Sequence, residues 1–272
     1  NGFGWVYNKV VFPVENDNTT KKISIFLSNR DKSRAADAGG MFLYYIGDTY
    51  DFVEDKVHYY HGAWGATNAE LTETVPVLDV TKATGTFNVN AANPNGLVYT
   101  NGATINRVTN NNIVSNGTCA DLVLVDGNNF HAHKQFEATN ASYTMSSIAV
   151  KPNGDKFGTL MIPFAATNKP EGCKIYNLDQ DMNLAAEILA TSTDAIAANK
   201  PVLVTKSGAY TASNVDIAAT TADTYSHGHL TGTYTTMNAL KDTYVLQKHD
   251  DPENPSNWEV AFFKVNDVYP TV

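Results

Sequence analysis

His131 and His133 stand two residues apart, and so do His227 and His229. On a strand this spacing puts both imidazoles of a pair on one face, a geometry that can supply two nitrogen ligands to zinc or a similar ion. No Asp or Glu follows at a spacing that completes either pair. A metal site would therefore need the fold to bring the two pairs together, and as ordinary strand histidines they need no metal at all. Carboxylates for a glycosidase must face each other across a cleft, but Asp121, Asp126, Asp179, Asp181 and Glu187 mostly flank turns. The densest acidic run, residues 250–255, offers oxygens to Ca²⁺. Its two prolines and the missing EF-hand spacing fit a solvated turn better. No catalytic residue and no obligatory cofactor is assigned.

Aromatic rings are the other candidates. A sugar presents an apolar face that stacks on a flat ring while polar neighbours bind its hydroxyls. Trp5, Tyr59, Tyr60 and Trp64 could form such a platform, although packing inside a core accounts for most aromatics in β proteins. Cys119 and Cys173 allow one disulfide, and their count leaves the bonded and the free states both open. No G-x-S-x-G elbow, P-loop or strand-linked G-x-G-x-x-G occurs, so hydrolase and nucleotide chemistry find no support in motifs.

The elements that must carry these residues are strands. Charged residues are only 17% of the 272, too few for the wet faces of long amphipathic helices. Thr, Val, Tyr and Phe suit a pleated, half-buried surface. A net charge of −9 argues against a nucleic-acid partner and an anionic membrane surface. Apolar runs such as 122–125 and 160–163 have strand length, far below the ~20 residues of a membrane helix.

Four segments follow from pattern and punctuation. Residues 1–47 hold three strand-like runs and read as a partial β-sandwich, the end of a jelly roll. Residues 48–74 read as a connector, with a short helix over 51–61. Residues 75–135 carry short apolar runs at 75–80, 97–99, 113–114 and 122–125 between Asn/Gly/Thr loops, an irregular solenoid-like β segment whose spacing is no clean repeat. Asn93-Pro94-Asn95-Gly96 is a strong turn signal. Residues 136–272 carry seven short strands with turns between them, a second β-sandwich, with a helical turn in the Ala-rich 181–198. The fold class is all-β: jelly-roll-like sandwiches joined by the solenoid-like segment.

Several stretches resemble C-terminal β modules of secreted or surface-anchored Bacteroidetes proteins. They are VPVLDVTKATG (75–85), NPNGLVY (93–99), NGTCADLVLVDG (116–127), FEATNASYT (136–144), FGTLMIPF (157–164), ANKPVLV (198–204), GHLTGTY (228–234) and DTYVLQ (242–247). Residues 1–47, ending in GGMFLYYIGD, resemble the last strands of a galactose-binding-type jelly roll. The resemblance implies export, a cell-surface or extracellular location, and a fragment of a larger multidomain protein. It supplies no catalytic set. The expected function is non-catalytic binding of a glycan or host surface by aromatic stacking and hydrogen bonds, as in adhesion. Two alternatives stand beside it: a spacer or assembly subunit that self-associates through an open strand edge near 260–265, and an accessory fragment of a larger secreted enzyme.

Overall fold

A computed structural model describes residues 48–146, 148–150, 156–178, 184–187, 196–250 and 258–266. Segment 1–47, with Trp5, expected from sequence to be the end of a jelly roll, lies outside them. So does all of the acidic run after Asp250. Every regular element among the described residues is a strand.

A hairpin opens the described chain. Strands β1 (Tyr50–Glu54) and β2 (Val57–Leu71) pair antiparallel around Asp55 and Lys56, both at positive φ. The helix expected over 51–61 is therefore absent, and so is the connector after it. β-branched and aromatic residues at alternating positions favour the pleat, and the two left-handed residues make the tight turn that suits its twist. β2 then runs parallel to β3 (Val77–Ala91), which takes β4 (Leu97–Thr100) and β5 (Thr104–Arg107) as successive parallel neighbours on its two halves. Val57 meets Val77, and Val77 meets Leu97, a step of twenty residues per rung. This is a β-solenoid, and it starts one rung before the segment assigned to it by sequence.

The first two rungs turn a corner inside their long strands, and the third turns it between β4 and β5. At Gly85 φ is +116°, and a Cβ there would sit 2.0 Å from the carbonyl oxygen of Trp64. Only glycine allows that approach. The corner folds the second half of β3 over the first, so Phe87 and Val89 face Leu78, Val80 and Val98 across a closed interior that also takes Ala69 and Leu71.

The sheet continues through β6 (Ile113–Ser115), β7 (Thr118–Val125), β8 (Phe136–Met145) and β14 (Gly208–Ile217), giving nine strands in all. The outer face of the rungs, with Val57, Val77 and Leu97, shares one core with Leu122, Leu124 and Phe136 of this extension. That core is closed by a five-stranded sheet made of β9 (Ala149–Val150), β10 (Lys156–Leu160), β11 (Ile175–Leu178), β12 (Leu184–Glu187) and β13 (Val202–Val204). The boundary drawn at 135/136 thus falls within one sheet and one core. Strand β12 occupies part of the segment expected to hold a helical turn. Two antiparallel ribbons complete the described fold: β15 (Tyr225–His227) with β16 (Leu230–Gly232), and β17 (Tyr244–Asp250) with β18 (Trp258–Lys264).

Three buried asparagines splice solenoid to extension. Asn95 donates to the carbonyls of Val125 and Asn128 and accepts from the Val125 N–H at 2.8 Å. Asn112 treats Val123 the same way, accepting from its N–H at 2.7 Å and donating to its carbonyl, and it also reaches Pro94. Asn93 donates to Asn129. Their amides stand in for a neighbouring strand where β7 has none, because a buried backbone group must find a partner. Replacing Asn112 by Ala orphans the Val123 N–H and two carbonyls, and should lower the unfolding free energy by about 3 kcal/mol. Asn110→Ala, at an exposed neighbour, should change it by less than about 0.5 kcal/mol. Urea denaturation of both variants measures the difference; equal stabilities would mean that these amides do not serve as strand surrogates.

Candidate functional site

The structure separates the aromatic candidates by the pleat. Tyr60 is 6% exposed and points into the solenoid, edge-on to Phe87 at 5.1 Å and to Trp64 at 5.0 Å. Trp64 packs on the same interior and donates its indole N–H to the His61 carbonyl. These two rings hold the corner together. Tyr59 faces the other way, stacked on Phe52 at 4.9 Å beside the stacked pair Tyr50 and His61. Of the described members of the expected platform, only Tyr59 lies on this outer face.

Tyr59 leads to a buried carboxylate that accepts four hydrogen bonds. In register across the rungs, Tyr59 pairs with Asp79 and Asp79 with Tyr99. Asp79 is 3% exposed. Its Oδ2 accepts from Lys134 at 2.6 Å and from His133 Nε2 at 2.8 Å, and its Oδ1 accepts from the N–H and hydroxyl of Thr81. Burial alone would push this carboxyl up, but the hydrogen bonds from His133, Lys134 and Thr81 outweigh it and hold the group well below the usual carboxylate range. The His133 ring lies edge-on to Tyr99 at 4.3 Å, and its Nδ1 is buried with no partner among the described residues. The Tyr99 hydroxyl donates to the Lys134 carbonyl. This cluster pins residues 133–134 onto the solenoid, and with Asp79 and Tyr99 this buried it is closed to a substrate.

The remaining candidates are dispersed. His131 contacts the Thr220 hydroxyl at 2.8 Å, and burial, with Lys56 and His133 nearby, pushes its imidazole down to about 4. His227 meets the Pro201 carbonyl at 3.3 Å, and His229 sits in the turn before β16. Among the described residues no three His, Cys, Asp or Glu side chains are grouped to hold a metal, so the two histidine pairs do not combine. Cys119 and Cys173 are both buried and free, not bonded to each other. Burial pushes the Cys119 thiol up to about 11, away from thiolate chemistry.

The surface that sequence reasoning missed is on the second half of the rungs. Here β2, β3 and β5 form a three-stranded parallel sheet whose inward residues fill the core and whose outward residues line up in files. Asn68, Asn88 and Asn106 are in register and exposed. Asn88 donates to Asn68 at 3.3 Å, and Asn106 donates to Asn88 at 3.0 Å. On one side runs the file Ala66, Thr86, Thr104; on the other Asn90 donates to Glu70, ahead of a fully exposed Val108. The amide and Glu70–Val108 files line an open groove of about 880 Å³. An amide inside such a file spends one donor and one acceptor on its neighbours and keeps one of each for a ligand. A signal was present: Gly65-Ala66-Thr67-Asn68 and Gly85-Thr86-Phe87-Asn88 repeat the same G-x-x-N twenty residues apart.

No family model, curated protein or solved structure matches this chain. The groove and the Asp79 cluster stand on their own geometry.

Two predictions follow from these contacts. Trp64→Ala should destabilise the fold by about 3 kcal/mol, the lower end of what losing a packed ring costs, as read by urea denaturation; unchanged stability would return Trp64 to the surface. On acidification, His131 resists protonation in the fold while its unfolded counterpart titrates near 6.5. Stability should therefore fall between about pH 6.5 and 4, and His131→Gln should lack that step. Asp79 has the same sign in a lower window: its carboxyl is held low in the fold, so its contribution is present above its unfolded value of about 3.9 and is lost only below it. Unfolding free energies of wild type, His131→Gln and Asp79→Asn across this range should separate the two windows.

Proposed function

We propose that this chain is a non-catalytic glycan-binding module that presents the amide groove of its solenoid to a sugar at the cell surface or outside the cell. The observation that carries this reading is the file Asn68, Asn88, Asn106, three mutually hydrogen-bonded amides exposed along an open groove. Carboxamides offer a donor and an acceptor side by side, which is what a sugar hydroxyl needs. Being already bonded to one another, they lose little side-chain freedom when a ligand arrives. Stacking on aromatics has a smaller part than the sequence suggested, since Tyr60 and Trp64 serve the interior. The location outside the cell rests on motif resemblance alone.

A second reading, as a spacer or assembly subunit, is favoured by the ribbon of β17 and β18. Among the described residues β18 pairs with β17, and a two-stranded ribbon can take a further strand from another chain.

A glycan array tests the first reading, with wild type beside Asn88→Ala. The expected result is retention of a defined set of glycans that falls about fivefold in the variant, the worth of roughly one hydrogen bond, with an unchanged melting temperature. A blank array overturns it. Mass measured in solution at rising concentration then tests the second reading, which requires species above the monomer.

A further inference from the structure

The groove's two directions are not equivalent. Along one strand the outward side chains of β3 are Thr86, Asn88 and Asn90, spaced by roughly 6.6 Å, twice the rise per residue. That row is chemically mixed. Across the strands the same amide recurs at every rung, at the strand spacing of about 4.8 Å. A polymer of identical units gains most from identical contacts at a constant interval, and only the direction across the rungs supplies them. An extended chain of equatorially linked pyranoses advances per ring by only slightly more than the strand spacing, so successive rings can meet successive amides.

Charge narrows the class further. On the three outward files Glu70 is the one ionised side chain, and there is no cation. Arg107 does line the groove edge, but it belongs to an inward position, paired in register with Val89, and its guanidinium donates to the carbonyls of Gly96 and Pro94. A polyanionic chain would find a carboxylate and no counter-charge. A neutral chain finds donors and acceptors matched to hydroxyl or acetamido groups.

Building on the glycan-binding reading, we infer that the ligand is a neutral, extended, equatorially linked glycan that lies across the strands along the file Asn68, Asn88, Asn106, one ring per rung. Three rungs then set the length of the site. Affinity rises with each ring up to about three and is flat beyond.

The test uses the full chain and β-1,4-linked oligomers of glucose and of N-acetylglucosamine, from one to six units, titrated by calorimetry. Each added ring up to the third should tighten binding by about fivefold, the worth of roughly one hydrogen bond. Asn68→Ala, Asn88→Ala and Asn106→Ala should each weaken the three-ring ligand by about that factor, whereas Thr86→Ala, on the neighbouring file, should not. Melting temperatures establish that every variant is folded. Binding that is independent of length, or is lost equally in Thr86→Ala, overturns the orientation and leaves the glycan reading in place. Binding confined to uronate or sulfated chains on the array overturns the neutral class. No binding to any of these oligomers, with a blank array, overturns the glycan reading and this inference together.

Discussion

The parallel register of β2 against β3 is the constraint on which the rest depends. Once Val57 is set beside Val77, the later positions of the two strands are assigned a neighbour twenty or twenty-one residues away and a face, inward or outward, with two compensating shifts of register at the corner. That one alignment places Tyr59 beside Asp79, Asn68 beside Asn88, and Ala69 beside Val89. Polar residues that would otherwise be scattered become files, and apolar residues become a closed interior. The parallel ladder also explains the corners, because stacked rungs must all bend at nearly the same place. Gly85 meets the Trp64 backbone at that bend, opposite a break in register between Ala63 and Ala66.

Burial of polar groups follows from the same geometry. Where rungs end and the extension begins, backbone groups of β7 would be left without partners, and Asn95 and Asn112 replace the missing strand with side-chain amides. Asp79 sits where an outward position of the rungs is covered by residues 130–136. An unpaired carboxylate there would be costly, and His133, Lys134 and Thr81 remove that cost by filling both of its oxygens. The solenoid and the extension are therefore joined by directional contacts as well as by the shared core around Leu97, Leu122 and Phe136.

Strand-rich character and the Asn93–Gly96 turn were legible in the sequence, and so were the apolar runs that became β4, β6 and β7, because β-branched and aromatic clusters bounded by Asn and Gly have few other uses. The second halves of β2 and β3 were not. Thr67, Asn68, Asn88 and Asn90 belong to residue types that favour turns, and only stacking against a neighbouring rung makes them strand residues. Tyr59 and Tyr60 look alike in a list of aromatics, yet the pleat sends one outward and one into the core. Two of the partners of Asp79, His133 and Lys134, lie more than fifty residues away in the chain, beyond the reach of any local pattern. The amide file is a tertiary object, and its trace in sequence is the paired G-x-x-N alone.

The twenty-residue step makes length change in this protein quantised. One residue inserted directly after Gly85 would turn Asn88 and Asn90 toward the interior and Phe87 and Val89 toward water, since faces alternate at every position. A whole inserted rung would preserve every face, lengthen the interior by one layer and add one more amide to the file. Growth by duplication is thus permitted in complete turns of the solenoid and forbidden in fractions of one, so the reach of the groove along its own axis can be altered by copying sequence with no residue redesigned.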